Sequence, residues 1–420
     1  MKKHVIIIGS GFSSLSAACY LAKSGYQVSV LEKNNTIGGR ARQLIRDGFT
    51  FDIGPTWYWM PDVFEKFFAD FNRKPSDYYK LEKLEPAYQV YFDKKDSITI
   101  PGNLKDIYRI FEKEEKGSSK HLESFLKSAE YNYDVSINDL VYKPGVSPLE
   151  LVTPVTIGKI NQFFSTIRRQ VRKKIKSKKL IQILEFPVLF LGAKPSNTPA
   201  FYNFMNYADF ALGTWHPKGG MHKVIEAMVT LAISLGVEFK TKSNVQKIRV
   251  DTTGKAIGLI VNHEIIPADI ILSGADYHHT ETLLPTKYRQ YSEKYWSKKV
   301  FAPSSLLFYV GLDKKLVDVC HHTLFFDTDF DLHAKTIYDT PSWPENPLFY
   351  ASFPSITDDT FAPENKEAAT FLIPLAPGIQ DTPEIREKYF NIIIFSDKNG
   401  FWISNFSRIT VTIINKSLFF

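Results

Sequence analysis

A chain of 420 residues is too long for one simple core, so two domains are expected, possibly interleaved. With 44% hydrophobic and 23% charged residues it is folded and globular, not disordered. Its +7 formal charge suits nucleic acid, an anionic membrane or neither, and its two isolated cysteines, Cys19 and Cys320, imply no disulfide framework and a cytosolic default.

In chain order, residues 4–8 (HVIII) read as a parallel strand covered on both faces, because a short β-branched run has no polar side to expose. The apolar run before Gly9 is too short for a signal-peptide core, and no stretch approaches the roughly 18 apolar residues of a membrane-spanning helix. Gly9-Ser10-Gly11 is a turn, Ser14–Lys23 a helix ended by Gly25, and Val28–Glu32 a second strand, which makes one βαβ unit. Helices are predicted over Val63–Phe71, Leu104–Lys116 and His121–Ala129, and strands over Ala87–Phe92 and Ser97–Ile100. Residues 155–195 are basic, then apolar. Gly219–Leu235 reads as a glycine-opened helix. Val237–Val250 and Ala256–Val261 read as strands, and Ile265–Leu272 as one more.

The first turn carries recognisable chemistry. Gly9-Ser10-Gly11-Phe12-Ser13-Ser14 fits G-x-G-x-x-G in two of three glycines, with a strand before it and a helix after it. Gly9 permits the tight turn, Gly11 lets backbone approach a pyrophosphate, and Ser14 is small enough for close helix–strand packing. The helix N-terminus offers free N–H groups to the phosphates. Glu32, at the end of the second strand and beside Lys33, is placed to accept hydrogen bonds from a ribose 2′-hydroxyl and would repel a 2′-phosphate. Gly38-Gly39-Arg40-Ala41 then sets bare backbone and one guanidinium against the diphosphate, which points to FAD over NAD.

These motifs, with Phe51-Asp52-Ile53-Gly54-Pro55-Thr56, resemble the amine-oxidase/phytoene-desaturase flavoprotein superfamily. Gly213-Thr214-Trp215-His216-Pro217-Lys218-Gly219-Gly220-Met221 is similar to the bacterial-type phytoene desaturases, as are Gly236-Val237, Ser273-Gly274-Ala275-Asp276 and Leu283-Leu284-Pro285. The resemblance runs from residue 3 to about 393. It implies an α/β fold: a Rossmann-type FAD-binding domain (1–95 and 215–285) interleaved with an α+β substrate- and membrane-facing domain (96–214 and 286–394). It implies that FAD lies extended, that Gly54, Pro55 and Thr56 sit near the flavin ring, and that the backbone of Val245 flanks the adenine. The implied substrate is a long polyene of the phytoene type, which loses a hydride to the flavin and a proton to a base or water. A later-acting carotenoid desaturase is the alternative enzyme, and a non-catalytic remnant a third reading. An amine oxidase fits the Gly213–Met221 motif less well.

The 33 phenylalanines and 21 tyrosines suit an apolar tunnel or an ordinary large core equally. Among Trp57, Tyr58 and Trp59, at least one is expected to line the channel. No catalytic base is assigned; His216, His278 and His279 are read as structural. Arg168–Lys179 holds eight basic residues, with Ile160, Phe163, Phe164, Ile167, Val171 and Ile175 at helical spacing beside them. This predicts a basic amphipathic helix lying on an anionic membrane, hence a peripheral location. The competing reading is a solvated basic face over a core stripe. Nucleic acid is not expected, since no nucleic-acid fold motif accompanies the segment. The tail 395–420 departs from the family: the expected Gly- and Pro-rich FAD motif is not there, and no helical or strand period is evident. It reads as an aberrant or truncated end, which predicts a loosely held flavin ring.

Overall fold

The computed structural model describes residues 2–147, 150, 158, 160–317, 319–395 and 409–414. Strand β1 (His4–Ile8), helix α1 (Phe12–Lys23) and strand β2 (Gln27–Leu31) form the expected βαβ unit. A hairpin follows, β3 (Arg42–Arg46) and β4 (Phe49–Ile53), then α2 (Pro61–Ala69) and β5 (Leu81–Lys83). Strands β6 (Tyr88–Asp93) and β7 (Asp96–Ile100) lead to helices α3 (Leu104–Glu114) and α4 (Ser118–Asn138). The middle of the chain is helical: α5 (Ile160–Phe163), α6 (Ile167–Arg172), α7 (Lys178–Glu185) and α8 (Phe204–Phe210). Strand β8 (Trp215–Pro217) and helix α9 (His222–Ser234) return it to β9 (Glu238–Lys240).

Strands β10 (Val245–Val250), β11 (Ala256–Val261), β12 (Glu264–Pro267) and β13 (Ile270–Ser273) come next. Helices α10 (Tyr277–Thr282) and α11 (Glu293–Trp296) then lead to β14 (Ser304–Leu312) and β15 (His322–Phe325). The described chain closes with α12 (Phe330–Tyr338), β16 (Phe349–Ser352), β17 (Glu367–Leu375), α13 (Pro383–Phe395) and β18 (Ile409–Ile414).

The Rossmann sheet is parallel, in the order β13-β1-β2-β9. Alternation along β1 explains its all-apolar sequence. Val5 and Ile7 face α1 and α9, whereas Ile6 and Ile8 face the antiparallel β10-β11-β12 sheet. The second layer is a seven-stranded mixed sheet, β18-β14-β17-β16-β15-β6-β7, in which only β15 and β6 run parallel. The helices between residues 104 and 210 pack over β6 and β7 around Phe111, Leu122, Ile183 and Phe210. The fold is therefore the interleaved α/β plus α+β arrangement expected. The proposed boundary between residues 95 and 96 falls in the turn of the β6–β7 hairpin, so the strands on either side of it share one sheet.

Three local expectations are corrected. The strand predicted over Ile265–Leu272 is two strands in different sheets. The chain crosses at Ala268-Asp269, where Asp269 accepts from the His4 N–H at 2.8 Å and donates its own N–H to the His4 carbonyl. The tail holds a strand after all: the backbone of β18 pairs antiparallel with β14, a partner that no local period reveals. The basic amphipathic segment is not one helix. Thr166 and Ser177 each accept from the N–H three residues on, starting new helices at Ile167 and Lys178.

The apolar stripe of that segment is already used. Ile167, Val171 and Ile175 are buried in the helical core, Phe163 stacks on Phe201, and only Phe164 stands out. The Ile160 side chain lies outside the described residues. On the basic side, Arg172 makes a forked pair with buried Glu185 at 2.8 and 3.1 Å. Arg168 pairs with Asp331, and Lys179 with Asp96 and Glu114. Arg169, Lys173, Lys174, Lys176 and Lys178 remain exposed over a core stripe, so among its described residues the segment keeps only Phe164 as a free apolar side chain.

Candidate active site

Segments from Gly9 to Gly274 meet at the C-terminal end of β1. Gly9 turns with φ of +87°, and Gly11 leads into α1 with no side-chain cap, so the first N–H groups of that helix are free for an anion. The Gly38 N–H donates to the Ser10 carbonyl at 3.1 Å, and Arg42 Nε donates to the Gly39 carbonyl at 3.0 Å. A Cβ on Gly39 would come within 2.9 Å of Gly11 Cα, so the two glycine turns lie backbone to backbone. A Cβ on Gly54 would overlap the Arg40 carbonyl oxygen, which packs Gly54-Pro55-Thr56 onto the Gly38–Arg40 turn.

Glu32 is buried and held at both oxygens. Oε2 accepts from the Ser10 N–H at 3.1 Å and the Ser10 hydroxyl at 2.6 Å, and Oε1 accepts from the Asn34 N–H at 2.9 Å. The Glu32 carbonyl accepts from the Ser243 N–H, which brings Val245 to the same edge. Ser14 meets Gly274, the residue whose missing side chain lets β13 approach α1. Phe12 turns its ring onto Phe64, while Ser13 and Lys33 face solvent; these three offer the site backbone, not contacts among themselves. A flavin dinucleotide fits this arrangement: an uncapped helix start, bare glycine backbone and an oriented carboxylate in one line.

Beyond Gly54–Thr56 lies a cavity of about 380 Å³. Its walls are almost entirely carbon, from Phe186, Phe190, Phe326, Leu348 and Phe349 among others. Trp57 lines it, as expected of one of the three aromatics. Trp59 backs the wall against Phe190, and Tyr58 is core, with its hydroxyl on Tyr79. His333 reaches the cavity with both nitrogens engaged: Nδ1 accepts from the Leu348 N–H and Nε2 donates to the Pro374 carbonyl, each at 2.9 Å.

A buried polar chain closes the inner end. Thr56 Oγ1 lies 2.8 Å from the Tyr350 hydroxyl, which lies 2.7 Å from His322 Nδ1. Trp57 stacks flat on His322, with ring centres 4.0 Å apart and planes 9° apart. His321 adjoins His322, and His216 adjoins His321. Burial holds His321 and His322 well below the ordinary imidazole pKa, and neighbouring imidazoles add to this. His216 Nε2 sits 2.9 Å from Asp358. Burial would raise the Asp358 pKa, but hydrogen bonds from His216, the Gly219 N–H and Thr360 hold it below the usual carboxylate range. His216 Nε2 is thus committed to Asp358, His278 stacks on Trp296, and the His279 N–H is capped by Asp276. Sequence reasoning missed Tyr350, His321, His322 and Asp358. They lie on β16, on β15 with its preceding residue, and on a turn, with no motif spacing to join them.

Comparison with known proteins is consistent with this geometry. The family model "Flavin containing amine oxidoreductase" matches residues 12–316. The chain is 40% identical over 391 residues to a carotenoid 3,4-desaturase of Haloarcula japonica, covering 92% of this chain and 78% of that one. It is 30% identical to a zeta-carotene-forming phytoene desaturase of Myxococcus xanthus, covering 92% and 76%. Among solved structures, an oxidoreductase from Methanosarcina mazei superposes with a TM-score of 0.60 at 19% identity, covering 98% of this chain and 88% of that one, a likeness of fold.

Proposed function

The chain belongs to the flavin-containing amine oxidoreductases, and among them to the carotenoid desaturases; from that premise we propose that it desaturates a long acyclic polyene held in the cavity beyond Thr56. The observation that carries this reading is the cavity itself, carbon-walled and ending on Gly54-Pro55-Thr56. Gly9, Ser10, Gly11, Phe12, Ser13 and Ser14 hold the diphosphate by backbone and helix start. Gly38, Gly39 and Arg40 close over it. Glu32 takes the ribose, with Lys33 and Val245 at the adenosine end. FAD, when bound, accepts the hydride. The protein orients the chain of carbons and keeps water away, which is most of what such a step requires.

The 40% identity to a 3,4-desaturase, against 30% to a phytoene desaturase, favours an already conjugated carotene over phytoene as substrate. Co-expression with a producer of phytoene, and separately with a producer of a more conjugated acyclic carotene, tests both. A shift of polyene absorption to longer wavelength is expected with the conjugated substrate. No shift with either would overturn the proposal.

We also propose that the enzyme works at an anionic membrane surface, docked by the cavity mouth and not by 168–179. Phe190 and Pro303 line the mouth, and Gly192 packs on Ala302 and Pro303. Beside them Val300 is 95% exposed and Leu191 partly so, next to exposed Lys298 and Lys299. Apolar tips next to cations are what an interfacial site requires. Among the described residues, no helix is long and apolar enough to cross a membrane.

A further inference from the structure

Removing two hydrogens from neighbouring carbons needs a place for the proton as well as for the hydride. The cavity wall offers few. His333 has both nitrogens engaged, and Tyr338 has no hydrogen-bond partner among the described residues to pass a proton to. Tyr350 differs: it lines the cavity beside Thr56, and its hydroxyl lies within hydrogen-bond distance of an imidazole nitrogen, with Ser352 and Trp57 also close to it.

We propose that Tyr350 is a catalytic residue that takes the substrate's proton, and that His322, acting through it, is the positioning residue that receives the tyrosine's own proton. This rests on the reading of the cavity as the polyene channel beside the flavin. One hydrogen leaves its carbon as hydride, carrying two electrons to the flavin. The hydrogen on the adjacent carbon leaves as a proton to Tyr350 Oη, and its bonding pair becomes the new π bond. In the same event the Tyr350 hydroxyl proton moves to His322 Nδ1, so the tyrosine is never left as a buried phenolate. The substrate loses two electrons and two hydrogens, the flavin gains the hydride, and His322 ends as imidazolium.

The surroundings favour the neutral state of His322 and make its charged state transient, because its buried Nε2 has no hydrogen-bond partner among the described residues. At rest its burial favours the neutral ring, which can accept a proton. Once protonated, the ring lies flat against the Trp57 indole, whose face attracts a cation. The other titratable groups around the pair are His321, which burial keeps neutral, His216 beyond it, and Asp358, held ionised two rings away. Asp52 contributes charge toward Tyr350 from β4. Thr56 holds the Tyr350 hydroxyl at 2.8 Å, and Ser352 and Trp57 lie beside it.

The test uses the full chain loaded with FAD, the conjugated carotene in detergent, and Tyr350→Phe with His322→Gln as the second variant. Both are expected to keep flavin absorbance and polyene quenching of Trp57 fluorescence, with KM unchanged and kcat down about 100-fold or more. Wild-type kcat is expected to fall on the acid side, as His322 becomes protonated beforehand, and this limb to vanish in His322→Gln. A readout free of turnover is 15N-histidine NMR of the unloaded chain: His322 should stay neutral at pH 6, and its Nδ1 signal should move in Tyr350→Phe. Wild-type kcat in Tyr350→Phe, or a charged His322 at neutral pH, overturns the relay. Absence of Trp57 quenching in the wild type overturns the channel reading and the relay with it.

Discussion

At the scale of single residues, the site depends on glycines that leave no room and on polar groups that have few partners. Gly54 shows the first. Its φ of +148° and the Arg40 carbonyl beside it leave no space for a side chain. Gly54→Ala should therefore push the Gly54–Thr56 loop off the Gly38–Arg40 turn, and purified protein should show most of its flavin absorbance lost while the fold persists by circular dichroism. Asp209 shows the second. It is buried on α8 with the Tyr88 hydroxyl on one oxygen, at 2.8 Å, and burial raises its pKa to about 8 against that hydrogen bond. In the unfolded chain the carboxyl ionises near pH 4, whereas in the folded chain it stays neutral. Stability should thus be full below about pH 4 and fall by up to roughly 1.4 kcal/mol per pH unit until about pH 8. Asp209→Asn keeps an acceptor for Tyr88 and should flatten that decline, as measured by urea unfolding at pH 5 and pH 8. The proposed role of Gly9, Gly11 and Glu32 is legible in the sequence because their chemistry is local to one βαβ unit. The approach of Ser14 to Gly274, or of Tyr350 to Thr56, is not, since each joins residues hundreds of positions apart.

At the scale of elements, period and composition find helices and strands but not what covers them. The segment 160–185 illustrates this. Its apolar spacing is genuinely helical, yet Ile167, Val171 and Ile175 face the core around Phe111 and Leu122, not a bilayer. Amphipathicity says only that one face is apolar; it is silent on whether lipid or protein meets it. Glu185 explains why the basic face needs an acid behind it. It is 1% exposed and holds Arg172 in a fork, with Arg168 at 3.8 Å. Removing Arg172 leaves the buried Glu185 carboxylate with Arg168 alone, at 3.8 Å, so Arg172→Ala should cost at most about 3 kcal/mol. Arg172→Lys should recover only part of this, because a point charge cannot make both bonds. Denaturant midpoints of the three proteins measure it. The break between β12 and β13 has the same origin: both halves are apolar, and only the pairing with β1 or β11 tells them apart.

At the scale of the whole molecule, the two layers are threaded through one another, and the site lies where they touch. The Rossmann layer supplies the glycine turns, Glu32 and Thr56; the seven-stranded layer supplies Tyr350, His322 and the floor of the cavity. The helical segment lines the cavity with Phe190 and the chain leading into β14 lines it with Pro303, which is where the proposed docking puts the mouth. If that mouth docks on lipid, Val300→Asp with Lys298→Glu and Lys299→Glu should reduce co-sedimentation with anionic vesicles at least fivefold. Reversing Lys173, Lys174 and Lys176 should change it less than twofold, and the opposite ranking would return the docking surface to 168–179. By itself the sequence determined the βαβ unit and the flavin family, because those rest on short-range backbone requirements that glycine, a small residue and one carboxylate must meet. Only the tertiary structure decided which apolar stripe is core and where the carbon-lined cavity lies. It alone also decided which tyrosine and histidine close that cavity, because burial and a hydrogen-bond partner are properties of the folded surroundings and not of any residue alone.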